Sequence, residues 1–205
     1  MLSKFLLACT APAAVAAEFY ASGGTSDPVG INTNKSIVLP QSVAVNDIIV
    51  VQTTMGTGVT TSGYTQIGGT FSNLDSYNNR AYYIIATSGT SSTINYNGTD
   101  AIAVLIKNPG KSNIQVGSWV DTATANLTIT PPSGTTSSDI VILTAIDRAV
   151  GSLGAPSGYT GIGPSSSSSY FTVKGFYDAT GSNAAATVTR STTANSFTGI
   201  GFRLY

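Results

Sequence analysis

Beyond residue 36 the chain alternates short apolar runs with clusters of small polar residues, and the runs have the length of strands. Ser36–Leu39, Asp47–Thr54, Arg80–Thr87, Ser92–Tyr96 and Ala101–Ile106 are each bounded by Gly, Asn, Ser or Pro. Ser92-Thr93-Ile94-Asn95-Tyr96 alternates cleanly, and Asp47 to Thr54 is a near-continuous β-branched run. Both patterns belong to antiparallel strands. No window with apolar residues at three-to-four spacing survives past residue 20. The pattern predicts an all-β protein.

The second part of the chain repeats the first. Thr128-Ile129-Thr130 before Pro131-Pro132 answers Ile37-Val38-Leu39 before Pro40, and Asp139 to Thr144 answers Asp47 to Val51. Ser62-Gly63-Tyr64-Thr65 recurs as Ser157-Gly158-Tyr159-Thr160. Lys174-Gly175-Phe176-Tyr177 matches Arg80-Ala81-Tyr82-Tyr83, Thr187-Val188-Thr189 matches Thr93-Ile94-Asn95, and Gly199–Leu204 matches Ala101–Ile106. Six strands in one order, at a near-constant spacing, read as an internal duplication. Gly63 and Gly158 suit a tight turn or positive φ, while Tyr64 and Tyr159 suit a strand with the ring packed inward. Asp47 and Asp139 sit just ahead of buried runs, where a carboxylate can accept N–H bonds from a turn.

The expected architecture is an antiparallel two-sheet β-sandwich of jelly-roll type, its halves related by a pseudo-twofold axis. The alternative is two tandem Ig-like domains split near residues 108–116, where Lys107–Asn113 is long and polar enough to join them. The repeats span about 36–108 and 127–205 within a body of 21–205. Ile48, Val50, Ile84, Ile102, Val104, Ile140, Ile142, Ile200 and Phe202 are expected in the core.

Composition narrows the chemistry. Only 9% of residues are charged, the formal net charge is +0, and Gly, Ser, Thr and Asn are abundant. No field draws in nucleic acid or anionic lipid. Cys9 is the single cysteine, histidine is absent and Glu18 is the only glutamate. The residues of Ser-His-Asp, Cys-His and His-based zinc sites are therefore missing. The expectation is no enzyme and no cofactor.

Residues 1–20 form an apolar arm or a signal-like segment: Lys4 precedes Phe5–Ala8, and Ala14-Val15-Ala16 offers a cleavage site. Thr10 and Pro12 interrupt its apolar stretch. Export after cleavage and an arm that packs on the body or on a neighbouring subunit both remain open. No stretch is long enough to span a bilayer as a helix.

The motif order resembles a tailed-bacteriophage virion structural family, in which a Gly-Asp-hydrophobic strand precedes Pro-Pro-x-Gly-Trp-Thr and an aromatic strand. Pro131-Pro132, Ala155-Pro156-Ser157-Gly158-Tyr159-Thr160 and Arg80-Ala81-Tyr82-Tyr83 carry the likeness. Asn46 and Ser138 stand where that family has glycine, and Tyr64 and Tyr159 where it has tryptophan. The resemblance implies a non-enzymatic virion protein, on the head as decoration or in the tail. It also implies other capsid or tail proteins as partners; the apolar arm and the low-charge surface predict a homo-oligomer, for which the resemblance makes a trimer the first expectation.

Other features suggest weaker chemistry. Trp119 with Tyr77, Tyr82 and Tyr96 is a candidate stacking platform for a host-surface glycan, which is the basis of an alternative reading as a secreted carbohydrate-binding module. Asp75 with Asn73, Asn78 and Asn79 is an oxygen-rich set, read first as a solvated loop. Ser165–Ser169 reads as a flexible loop tip, and Asp147-Arg148 as a surface or inter-sheet ion pair.

Overall fold

The structure, a computed structural model, describes residues 16–24, 33–167, 172–178, 184–191 and 195–205. The N-terminal arm up to residue 15 and Ser168–Ser169 lie outside these. The first half holds β1 (Glu18–Gly24), β2 (Asn34–Val38), β3 (Ile48–Thr54), β4 (Gly58–Val59), β5 (Thr65–Ser72), β6 (Asn78–Ile85), β7 (Thr93–Asn97) and β8 (Asp100–Lys107). The second holds β9 (Ile114–Val116), β10 (Val120–Thr122), β11 (Asn126–Ile129), β12 (Ile140–Asp147), β13 (Leu153–Gly154), β14 (Thr160–Ser167), β15 (Thr172–Asp178), β16 (Ala186–Arg190) and β17 (Phe197–Leu204). The chain is all-β, and its strands pair antiparallel.

Strand order carries the duplication. The first half makes a five-stranded sheet, β1-β8-β3-β6-β5, and a three-stranded sheet, β2-β7-β4. The second makes β10-β17-β12-β15-β14, with β9 also on β17, and β11-β16-β13. Replacing each strand of the first half by its counterpart reproduces the second. The place of β1 is taken by two short pieces, β9 and β10, on either side of Gly117–Trp119. In each half the first and last strands lie side by side, the wrapped order of a jelly roll.

The sandwich is deeper than the expected two sheets, because each half is a sandwich in its own right. One core lies inside the first half, around Ile37, Ile49, Val51, Ile94, Tyr96 and Leu105. Another lies inside the second, around Leu127, Ile129, Leu143, Phe176, Val188 and Phe197. A third joins them: Ile48, Val50, Ile102 and Val104 share one cluster with Ile140, Ile142, Ile200 and Phe202. The five-stranded and six-stranded sheets therefore pack face to face, and the three-stranded sheets cover their outer faces. This explains why β3, β8 and β12 are apolar at consecutive positions. Even-numbered residues of β3 point to the shared core and odd-numbered ones to the inner core of their own half, so both faces exclude water. The outer sheets show the opposite pattern. In β11, Leu127 and Ile129 are buried while Asn126 and Thr128 are exposed. Of the expected core residues, Ile84 alone is only half-buried, at the rim of the first half's inner core.

The contact between halves is reciprocal. β5 and β14 each carry an irregularity, between Ile67 and Thr70 and between Ile162 and Ser166. Gly68 (φ 75°) and Gly163 (φ 64°) sit in these bulges. A Cβ on Gly68 would lie 3.0 Å from Val116 of β9, and one on Gly163 would lie 3.1 Å from the carbonyl oxygen of Ala21 in β1. Each bulge thus seats the first strand of the other half, where only a residue without a side chain fits. Phe19 stacks on Tyr177 at 3.8 Å between centroids, and Phe71 on Trp119 at 5.7 Å, both across the same boundary.

Two sequence boundaries shift. Glu18–Tyr20 belong to β1, not to the arm, and Ser165–Ser167 complete β14, pairing through Ser166 and Ser167 with β15, instead of forming a loop tip. Glu18 pairs with Lys107 at the end of β8, and Tyr205 exchanges backbone hydrogen bonds with Asn113 just beyond it.

Candidate functional site

The repeat markers hold matching positions. Asp47 accepts from Ala44 N–H at 2.8 Å and Asp139 from Thr136 N–H at 2.7 Å, each closing the turn before its strand. Asp47 also accepts from Asn108 N–H and meets Lys107 at 3.4 Å, and Asp139 accepts from Arg203 Nε at 2.9 Å. The Thr136 N–H and the arginine hold the Asp139 carboxyl below its ordinary pKa. Gly63 (φ 89°) and Gly158 (φ 82°) take the left-handed turn. Tyr64 and Tyr159 follow into the inner cores of their halves, with both hydroxyls buried and without a hydrogen-bond partner. Burial raises both phenols, Tyr159 to about 12. Asn46 stands at φ 69°, a conformation that glycine takes freely and asparagine tolerates best among other residues. That accounts physically for asparagine at this position.

The stacking platform is not assembled. Tyr82 and Tyr96 lie within the first half's inner core, 6% and 1% exposed, so neither ring can receive a sugar. Trp119 lies against the shared core on Phe71. Tyr77 lines a surface cleft.

The loop between β5 and β6 is tied to the second half. Asp75 meets Arg148 at 3.2 Å and accepts from Ser196 N–H at 2.9 Å. Leu74 N–H donates to Asp121, and Asn73 Nδ2 donates to Thr198 Oγ1. The Arg148 guanidinium also lies 4.8 Å from the centre of the Tyr77 ring. Asp75 and Asn73 thus serve as cross-links, and among the described residues no group of three or more His, Cys, Asp or Glu could hold a metal ion. Asp147 and Arg148 do not pair with each other. Arg148 reaches Asp75, and Asp147 pairs with buried Arg190.

Beside that loop lies an open cleft of about 610 Å³, lined by Met55, Gly56, Thr57, Ser76, Tyr77, Asn78, Arg80 and Asn97. The turn from β3 to β4 forms one lip and the β5–β6 loop the other. Arg80, at the start of β6, donates from Nη1 to Gly56 O, and Asn97 Oδ1 accepts from Thr57 N–H at 3.2 Å. Among the described residues five non-glycine residues have positive φ, and three are asparagines. The other two, Met55 (φ 61°) and Ser76 (φ 63°), both line this cleft, one on each lip. Neither type adopts that conformation readily, so the fold holds strain there.

At the same end of the second half lies a buried ion pair. By strand register Asp147 stands where Met55 stands. Its carboxylate pairs with Arg190, whose guanidinium also donates to the carbonyls of Thr124 (3.0 Å) and Ala123 (2.7 Å). Both side chains are almost fully buried, and Asp147 Oδ2 has no hydrogen-bond partner. Burial outweighs the arginine and pushes the Asp147 carboxyl up to about 6.

No protein-family model, curated protein or solved structure matches this chain.

The cleft went unread in the sequence for a physical reason. Arg80 sits inside an ordinary strand pattern, and the residues facing it come from separate turns. Nothing in their spacing marks them. The one available signal was Met55-Gly56-Thr57-Gly58 directly after a long apolar strand, a turn whose two glycines require positive φ.

Proposed function

We propose that the protein is a non-enzymatic structural subunit of a tailed-phage virion, displayed on the particle surface as a head decoration or a tail-associated component. The observation that carries the reading is the motif order shared with that family, which occurs twice and occupies matching positions in two like halves. The exposed positions of the outer sheets support it. Asn34, Ser36, Asn95, Asn126, Thr128 and Thr187 present amides and hydroxyls without charge, a surface that docks against other subunits with little ionic desolvation cost. Assembly as a homo-oligomer, a trimer first, belongs to this reading. The alternative as a secreted carbohydrate-binding module rested on the signal-like start and on four aromatic residues, two of which are in the core. Gold-labelled antibodies against the purified protein should decorate intact purified particles at fixed head or tail positions in electron micrographs. Absence of the protein from purified particles would end the proposal.

A further inference from the structure

We infer that the cleft around Arg80 is a binding site for a saccharide that carries a carboxylate. Arg80 stands apart from the chain's other arginines, which are at 148, 190 and 203. Those three pair with Asp75, Asp147 and Asp139. Arg80 has no carboxylate partner among the described residues, and its one hydrogen bond to Gly56 O leaves guanidinium donors over. An unmatched, half-buried guanidinium in a concave site selects a planar anion, and a carboxylate fits its fork in the two-point geometry.

The remaining lining names the rest of the ligand. Thr57, Ser76 and Asn78 offer hydroxyls and an amide, which match the alternating donors and acceptors of sugar hydroxyls, and Tyr77 adds an aromatic edge. Among the described residues no acidic side chain lines the cleft to repel an anion. Two observations indicate a built site. Backbone strain sits on both of its lips, at Met55 and Ser76, and the outer lip is pinned to the second half through Asp75, Leu74 and Asn73.

The test is a titration of the uniformly ¹⁵N-labelled full chain, followed by amide shifts, with tri-galacturonate, galactotriose, sodium acetate and sodium phosphate in parallel. Tri-galacturonate should give saturable shifts centred on Gly56, Thr57, Ser76, Asn78, Arg80 and Asn97, at least tenfold tighter than any of the other three. Arg80→Gln should weaken that binding at least tenfold and Arg80→Lys by less. Because Arg80 also braces Gly56, Asn78→Ala, which leaves that brace intact, should weaken binding about threefold in a fully folded chain. Equal affinity for galactotriose removes the role of the carboxylate. Equal affinity for acetate or phosphate removes the saccharide. Absence of saturable shifts, or unchanged binding in both Arg80→Gln and Asn78→Ala, overturns the inference whatever the outcome of particle labelling.

Discussion

Gly163 of the second half lies so close to Ala21 of the first that a Cβ there would sit 3.1 Å from the Ala21 carbonyl oxygen. Gly69, in the matching bulge of β5, has φ 70° but nothing within 4 Å of its virtual Cβ. The pair separates two costs. Gly69→Ala should lose about 1 kcal/mol, from left-handed backbone alone. Gly163→Ala should lose about 2–3 kcal/mol, because β1 must also shift. Urea midpoints of the two variants check this, and equal losses would show that the contact with β1 contributes nothing.

The shared core predicts one unfolding transition for the whole chain. Trp119 is the only tryptophan, and it stacks on Phe71 of the other half. Its fluorescence reports the contact between halves, whereas far-ultraviolet dichroism reports the strands. The two curves should coincide in urea. Phe202→Ala, at the centre of the shared cluster, should lower both midpoints together by about 3–5 kcal/mol. Separate transitions would mean that the halves fold as independent domains.

Gln52 is a third lever. It lies on β3, fully buried, and neither amide atom has a hydrogen-bond partner. An unmatched buried amide costs about 1–3 kcal/mol. Gln52→Met, close in volume and apolar, should therefore raise stability by about 1–2 kcal/mol. A melting temperature that falls in Gln52→Met would show that the amide is satisfied in solution.

Asp147 sets the sign of one pH effect. Its carboxyl titrates near 6 in the folded chain against an ordinary 3.8. The folded state therefore holds a proton that the unfolded state has already released. This favours folding at low pH and is lost as pH rises from about 4 through about 6. Urea midpoints should fall across that window, by on the order of 1–3 kcal/mol. Asp147→Asn should flatten the decline. Asp139 works in the opposite direction, since its lowered carboxyl contributes stability above its ordinary range that is lost as pH falls through the folded value. A flat profile between pH 4 and 6 in the parent chain would contradict the assignment to Asp147.

Periodicity and duplication made the strands and their order legible, since Ile94 and Tyr96 alternate with polar neighbours as one buried face requires. The depth of the stack was not legible. The consecutive apolar positions of Ile48 to Val51 say that both faces of a strand are covered but not by what. The short strands β4 and β13 carry too few residues to show a period, and β1 was hidden in a segment that reads as an export signal. Tyr82 and Tyr96 looked available because tyrosine suits a core and a binding face equally well. Arg190 gave no hint of burial, because its partners are an aspartate 43 residues away and the carbonyls of a distant turn.

The register at the two ends of β8 gives the molecule a direction. The chain enters β1 at Glu18 beside Lys107, and leaves β17 at Tyr205 beside Asn113. The Arg80 cleft lies near the opposite end, where Thr54 pairs with Asp100. A strand of this length separates the two poles by roughly 25 Å. Anything that docks on the body beside Glu18 and Tyr205 therefore leaves the cleft at its far pole, facing away from the contact, as a held probe presents its tip.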